Sequence, residues 1–472
     1  MLISDLLKAI DVTYKGKDLE IGMITDDSRK CEKNSLFVCH EKGEAYVEKA
    51  IQNGAVAVVS KSYVCDGCIV VSDTRKAYAL LCSAFFGDCH KRLRLIAVTG
   101  TNGKTTVATM LHTILCLNGK KCGMLTTVCN MYNGESYGAQ LTTPDCFYMH
   151  RMFSEMVKSG TEYCIVEASS QGISQQRLYG LVFETGVFTN LTKDHLDYHG
   201  TMENYREAKL SLMRKCECGI INYDDSNKDE FISATKGKTI TYSIRNDEAD
   251  YTAKCVKCDE NGSDYAIVAQ GLIQRIRINT PGEFNISNSM AAIAAAIECG
   301  CSVEECAAAM RSFSGVKGRM EVLGINRDFT VIIDYAHTPD SMRKVLLSMR
   351  NFPKGRVIAL FGCGGERDKS KRAEMGKTAS ELADITIITS DNPRHEDPTT
   401  IIDDILVGVK NKKNKVFIKE NRTKAIEYAL KIAQKNDIIL LLGKGHENYT
   451  VVGDEKIPYD EREIVFSIIN NS

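Results

Sequence analysis

The sequence predicts an α/β chain of three units, with parallel sheets in the second and third. Three observations predict it. At 472 residues the chain is longer than one ordinary core can organise. Short apolar β-prone runs alternate with helical stretches through most of its length. Several of those runs end in glycine-rich or charged clusters, and in open parallel sheets ligands gather at the carboxyl ends of strands.

Composition narrows the class. Lys+Arg 60 and Asp+Glu 61 leave a formal charge of -1 with no sustained basic tract, which argues against a nucleic-acid partner. The opening M-L-I-S-D-L-L-K-A-I carries Asp5 and no long apolar run, so it does not read as a secretory signal. The most apolar helical stretch, 290–297, is too short to span a bilayer, so no membrane insertion is expected. Nineteen cysteines in such a chain read as reduced, mostly packing thiols of a cytoplasmic protein. The pairs Cys65/Cys68 and Cys255/Cys258 lack the flanking pattern of a zinc or redox site and read the same way.

Taken in order, the units fall at 1–88, 89–316 and 317–472. The first is a small α/β unit with helices near 4–10 and 76–86 and strands near 36–38 and 55–59. The second has strands at 95–98, 163–167, 185–189 and 219–222. A polar alternating region at 238–279 reads as antiparallel hairpins, and an Ala-rich helix at 287–299 closes the unit. The third has strands at 331–334, 357–361, 385–389, 416–418 and 438–442, each followed by a helical stretch, as in a Rossmann-like doubly wound sheet.

The chemistry centres on L-I-A-V-T-G-T-N-G-K-T-T, residues 95–106. A strand feeds Gly100, Thr101, Asn102 and Gly103, and a helix opens at Lys104, Thr105 and Thr106. Backbone N–H groups and the helix dipole at such a turn favour phosphate. Lys104 can reach the β- and γ-phosphates, and a threonine hydroxyl can bind Mg²⁺. The full P-loop pattern would place glycine where Val98 stands, so only the shorter G-x-x-G-K-T-T is present. A chance glycine turn is the plainer reading, and the strand–turn–helix context outweighs it. The central unit therefore reads as a P-loop domain that binds a nucleoside triphosphate.

Other strand ends add charges. The run 163–167 ends at Glu167, where a Mg²⁺ ligand would sit, and 185–189 leads to Asp194, His195, Asp197 and His199. Either cluster alone reads as a solvated loop; two in the sheet of a P-loop favour a metal site. In the third unit, D-Y-A-H-T-P, G-C-G-G-E-R-D-K, S-D-N-P-R and G-K-G-H-E follow strands. Charges of both signs there suggest a pocket for a small zwitterion. Arg367 and Arg394 suit a carboxylate, and Glu447 suits an ammonium group. Pro393 fixes the turn Asp391-Asn392-Pro393-Arg394 so that Arg394 is presented.

These strings resemble the Mur ligases, the ATP-dependent amino-acid ligases of peptidoglycan assembly, along nearly the full chain. The likeness rests on D-D-S-R at 26–29, G-T-N-G-K-T-T at 100–106, L-T-T-P-D at 141–145 and E-A-S-S at 167–170. It extends through T-N-L-T-K-D-H-L-D-Y-H-G at 189–200, E-A-K at 207–209, F-N-I-S-N at 284–288 and G-R-M-E-V at 318–322, and through the four strings of the third unit. Within the family the chain most resembles members that add the third residue to UDP-N-acetylmuramoyl-L-alanyl-D-glutamate.

The resemblance implies a UDP-sugar-binding first domain, a central ATP-binding ligase domain and a C-terminal amino-acid-binding domain. It implies three partners, UDP-MurNAc-dipeptide, meso-diaminopimelate and ATP, with Mg²⁺ as cofactor and a monomeric state. By resemblance, Thr105, Glu167, His195 and Lys209 hold the cations, Lys209 as N6-carboxylysine. Lys104, Glu167, His195 and Lys209 carry catalysis. Asn288, Arg319 and Asp334 match nucleotide positions. Ser28, Thr142, Thr143, Ser169, Gln175 and Arg177 match contacts to the muramoyl dipeptide. Arg367, Asn392, Gly443 and Glu447 surround the incoming amino acid. Two departures stand out: a short loop after Val38, and Gln171 where the family usually has His. The alternatives are a paralogue that adds L-lysine or another amino acid or uses another acyl donor, a folylpolyglutamate synthase-like enzyme, against which the D-S-R segment argues, and a non-catalytic nucleotide-binding regulator. D-N-P-R argues against lysine, and a complete two-cation set argues against the regulator.

Overall fold

The computed structural model describes residues 1–14, 16–41, 43–65, 67–259, 262–350, 355–409 and 415–470. The first unit holds a parallel sheet of Met23–Thr25, Ser35–Val38, Ala55–Ser60 and Ile69–Val70, in that spatial order. The helix expected at 4–10 is an α-helix, Ile3–Leu7, that tightens into a 3₁₀ turn, Lys8–Ile10. Helix Thr74–Phe85 starts where the Asp73 carboxylate accepts from the Arg75 and Lys76 amides.

The second unit is an eleven-stranded sheet. Its parallel centre runs Lys238–Ser243, Cys216–Asn222, Phe183–Phe188, Arg94–Thr99, Tyr163–Glu167, Cys122–Leu125. Alternate side chains of the strands serve opposite faces, as a period of two requires. Ile96, Val98 and Ile165 pack with the buried residues of helices Lys104–Leu117, Glu283–Glu298 and Val303–Arg311. Leu95, Ala97, Cys164 and Val166 pack toward Cys146–Lys158 and Met202–Met213. Both faces are apolar, so these strands read as continuous hydrophobic runs. In helix Glu283–Glu298, Ala292, Ala295 and Ala296 are fully buried, and such small side chains let it lie close against the phosphate-loop helix.

Two sheet edges differ from expectation. Lys238–Ser243 pairs in parallel with Cys216–Asn222 and extends the core; the antiparallel ladder comprises only Tyr251–Asp259, Gly262–Ala269 and Leu272–Ile278. Alternation is the same for either direction, and the crossover helix Lys228–Ala234 makes the pairing parallel. At the other edge, Cys129–Tyr132 and Glu135–Gly138 form a hairpin appended to the buried strand Cys122–Leu125, three strands of four residues each that are too short to announce themselves.

The third unit is a six-stranded sheet ordered Glu321–Val322, Thr330–Asp334, Ile438–Leu442, Val357–Phe361, Ile385–Ile388, Lys415–Ile418. All pairs are parallel except the short first strand. Ile332, Ala359 and Leu440 face one core, and Val331, Ile358, Leu360 and Ile439 face the other. Helices therefore cover both faces, the doubly wound arrangement that the sequence predicts. No helix among the described residues is long and apolar enough to cross a membrane.

Candidate active site

Strand Arg94–Thr99 delivers the chain into the phosphate loop, where Gly100 and Gly103 adopt φ of 146° and 87°. A Cβ on Gly100 would strike Thr189 Oγ1, and one on Gly103 would strike Asn288 Oδ1. Both positions therefore require glycine. The loop is braced from below: the Asn102 amide donates to Asn190 Oδ1 at 3.0 Å, and the Thr101 hydroxyl lies 3.0 Å from that of Tyr205. Lys104 is half-buried and its Nζ donates to Gly100 O at 3.1 Å and Thr101 O at 2.9 Å, so it lies folded along the loop. Burial pulls its pKa below the usual lysine range. Thr106 is buried in the same turn.

Thr105 Oγ1 donates to both oxygens of Glu167, at 3.1 and 3.0 Å, and Glu167 also accepts from the Thr127 amide at 2.9 Å. Arg319 Nη2 reaches Thr105 Oγ1 at 3.5 Å, and its guanidinium lies 4.4 Å from the Tyr335 ring centroid. Asp334 accepts from the Met320 and Ala336 amides, each at 2.8 Å. Burial raises the Asp334 pKa, with Arg319 opposing. Arg319 precedes the first strand of the third unit and Asp334 ends its second, so the nucleotide positions expected from sequence come from two units. Asn288 joins them from helix Glu283–Glu298, beneath Gly103.

Lys209 is buried, and its Nζ donates to Gly100 O at 2.8 Å. Burial first, then the charge of Lys104, push its pKa well below the ordinary value. His195 sits in a left-handed conformation beside Asp194, with Nε2 to Oδ2 3.4 Å. Among the described residues no group of three or more His, Cys, Asp and Glu forms a metal cage. The donors that do meet, Thr105 and Glu167, are hard oxygens at the mouth of a phosphate loop. They fit Mg²⁺, which takes its remaining ligands from phosphates and water.

The residues expected to hold the first substrate form one network, Ser28 excepted. Thr143 Oγ1 donates to Glu167 O at 2.8 Å and accepts from the Ser169 amide at 2.9 Å. Arg177 Nη1 donates to Thr143 O at 2.6 Å, and its Nη2 donates to Gln175 Oε1. Thr127 Oγ1 donates to Thr142 Oγ1 at 3.0 Å, which connects this network to Glu167. Thr127 and Asn190 were not singled out from sequence; Asn190 lies inside the T-N-L-T string, and Thr127 carries no local signal. Ser28 is buried in the first unit and lines neither of the two cavities described here.

A cavity of about 340 Å³ opens between the second and third units. Thr142, Gln171 and His195 contribute from loops and a short helix of the central unit. Arg367, Asp391, Asn392, Arg394, Gly443 and Glu447 contribute from the strand ends of the third. Arg394 adopts φ 53°, with Nη1 donating to Gly365 O at 2.6 Å. Asn392 Nδ2 donates to Glu447 Oε2 at 2.8 Å, while buried Lys444 donates to Asn392 Oδ1 at 3.1 Å. Burial and Asp391 raise the Glu447 pKa. A Cβ at Gly443 would approach Asp391 Oδ2 to 2.9 Å. Arg367 is exposed at the rim, and Pro393 is buried in the turn. Lys444, hidden behind Asn392, is a member of this site that sequence reasoning missed. A second cavity of about 280 Å³, lined by Thr25, Asp26, Tyr78, Asn130 and Arg151, lies between the first and second units.

A phosphate loop with its acidic partner, beside a cavity lined by charges of both signs from a second parallel unit, defines the class as a P-loop α/β enzyme. Comparison with known proteins narrows this further. Residues 98–296 match the Mur ligase middle domain and 318–445 match the Mur ligase, glutamate ligase domain. The chain belongs to the Mur ligase family. It is 41% identical over 462 residues to UDP-N-acetylmuramoyl-L-alanyl-D-glutamate--2,6-diaminopimelate ligase 1 of Clostridium acetobutylicum, covering 96% of this chain and 95% of that one. The corresponding ligase of Caldanaerobacter subterraneus subsp. tengcongensis is 40% identical over 482 residues and all of both chains. A solved structure of a UDP-N-acetylmuramoyl-L-alanyl-D-glutamate--2,6-diaminopimelate ligase superposes with TM-score 0.71 at 31% identity, covering 100% of this chain and 99% of that one.

Proposed function

We propose that this chain joins meso-diaminopimelate to the D-glutamate γ-carboxylate of UDP-N-acetylmuramoyl-L-alanyl-D-glutamate, at the expense of ATP, in peptidoglycan synthesis. The observation that carries the proposal is the shared cavity, which links His195 beside the phosphate loop to Arg394 and Glu447. The names of the full-length relatives support the same substrates.

The chemistry follows from the groups present. The γ-carboxylate attacks the γ-phosphorus of ATP; the bond to the β-phosphate oxygen breaks, leaving ADP and an acyl phosphate. The amine then attacks the acyl carbon, loses a proton, and expels inorganic phosphate. Phosphoryl transfer depends on positioning and charge neutralisation. In this reading Gly100 to Thr106 and Lys104 cradle the phosphates, and Asn288, Arg319 and Asp334 hold the rest of the nucleotide. Thr105, Glu167, His195 and Lys209 would hold Mg²⁺, which supplies charge neutralisation at the transferring phosphoryl group. Lys209 serves as its N6-carboxylysine: a desolvated neutral amine can add CO₂, and the product is an anionic oxygen ligand. Ser28, Thr142, Thr143, Ser169, Gln175 and Arg177 orient the dipeptide, with Gln171 at the cavity wall. Residues 1–88, 89–316 and 317–472 act as the UDP-sugar, ATP and amino-acid domains of a cytoplasmic monomer.

The test is phosphate release by the purified chain with ATP, UDP-MurNAc-dipeptide and a panel of diamino acids. Turnover that requires diaminopimelate is expected. Turnover with L-lysine and none with diaminopimelate would favour the lysine-adding paralogue; no turnover with any would favour the regulator.

A further inference from the structure

The cavity contains a histidine that the foregoing mechanism does not use. His337 follows strand Thr330–Asp334 and lines the cavity on the third unit's side, opposite Asp194 and His195. Its Nδ1 lies 2.9 Å from the Tyr335 carbonyl. A carbonyl oxygen can only accept, so the ring proton sits on Nδ1 and the Nε2 lone pair is bare. Nε2 has no hydrogen-bond partner among the described residues. It is not enclosed by protein, unlike Nδ1 of His446, and opens to the cavity that His337 lines.

The surroundings keep this ring neutral. Burial is the main cause and the nearby charge of Lys371 the next; with Asp194 opposing them, the balance brings His337 down to about 4. Lys371 lies in the first turn of helix Ser370–Leu382, where the helix dipole disfavours a cation. Its neighbours Lys369 and Arg372 both pair with Glu396, whereas Lys371 has no ion-pair partner among the described residues and lines the cavity instead. An acceptor nitrogen next to a fixed cation favours a neutral amine over an ammonium ion.

We propose that His337 Nε2 accepts a hydrogen bond from the attacking amino group of the incoming amino acid. The bond orients the amine lone pair toward the acyl carbon, and Lys371 acts as the positioning charge that keeps the acceptor free. This rests on the ligase reading above. The step balances as follows: the N–C bond forms, the C–O bond to phosphate breaks, and the amine proton passes through Nε2 to solvent. A group in this position typically contributes about 10²- to 10⁴-fold.

Hydroxylamine separates the two half-reactions, because this small, weakly basic nucleophile captures an acyl phosphate without an oriented acceptor. Wild type, His337→Ala and His337→Gln are compared for hydroxamate formation from ATP and UDP-MurNAc-dipeptide, and for ligation of diaminopimelate. Ligation by His337→Ala is expected to fall at least ~100-fold while hydroxamate formation stays within about threefold of wild type. His337→Gln, which retains an acceptor oxygen, should recover part of the ligation. Three results overturn the role: ligation by His337→Ala close to wild type, parallel loss of both reactions in either variant, or a Gln variant no better than Ala. Absence of hydroxamate from wild type itself would instead overturn the ligase reading.

Discussion

Asn102 Nδ2 donates to Asp340 Oδ2 at 3.3 Å, so a residue of the phosphate loop is tied to helix Pro339–Arg350 of the third unit. Together with the reach of Arg319 to Thr105, this contact joins the phosphate loop to the third unit, as a coupling between nucleotide binding and that unit's position requires. Asp340 also pairs with Lys344 at 2.9 Å. Asp340→Ala should therefore raise the KM for ATP by about three- to tenfold, the equivalent of one hydrogen bond, with the fold intact. An unchanged KM for ATP would dismiss the coupling.

Lys104→Ala is expected to abolish ATP turnover without unfolding the chain. Among the described residues its Nζ is held by two loop carbonyls and has no carboxylate within ion-pair distance. Normal turnover by the variant would remove the loop from the catalytic account.

Lys209→Ala should be inactive and recover in part with added formate or acetate, which can replace the missing oxygen ligand. The measurement is turnover against carboxylate concentration, supported by the intact mass of the wild type under CO₂. Full activity of the variant without additive would rule out a carboxylated Lys209.

The amino-acid preference should depend on Arg394. With Nη1 committed to Gly365 O, its remaining donors can take the distal carboxylate that diaminopimelate has and lysine lacks. Such a contact is worth about 1.5–3 kcal/mol, or roughly ten- to a hundredfold. Arg394→Ala should reduce kcat/KM for diaminopimelate by that factor and narrow the preference over L-lysine. An unaltered preference would assign the selectivity elsewhere.

His150 predicts the acid limb of stability. It is buried with both ring nitrogens unpartnered among the described residues, and burial holds it down to about 3 against an ordinary 6.5. The unfolded chain takes up a proton that the folded one refuses. Stability is therefore complete above about pH 6.5 and declines as pH falls toward 3. His150→Leu should flatten the fall in melting temperature between pH 7.5 and 5. An equally steep fall in the variant would exclude His150 as the source.

The sequence alone determined what depends on neighbours along the chain. The phosphate loop was legible because strand, glycines, lysine and helix N-terminus are contiguous, and both glycines do occupy left-handed or crowded positions. The five main strands of the third unit were legible because a strand buried on both faces must be apolar throughout. What only the tertiary structure decided is what depends on distance through space. Lys238–Ser243 could pair either way until its crossover helix was known, and the strands at 122–138 were too short to register. The Thr127–Glu167 contact, the Lys444 ammonium behind Asn392, and the free nitrogen of His337 leave no mark in spacing. Their roles depend on which carbonyl or carboxylate lies within 3 Å or so after folding, because desolvation and hydrogen bonding act over such distances and not along the sequence.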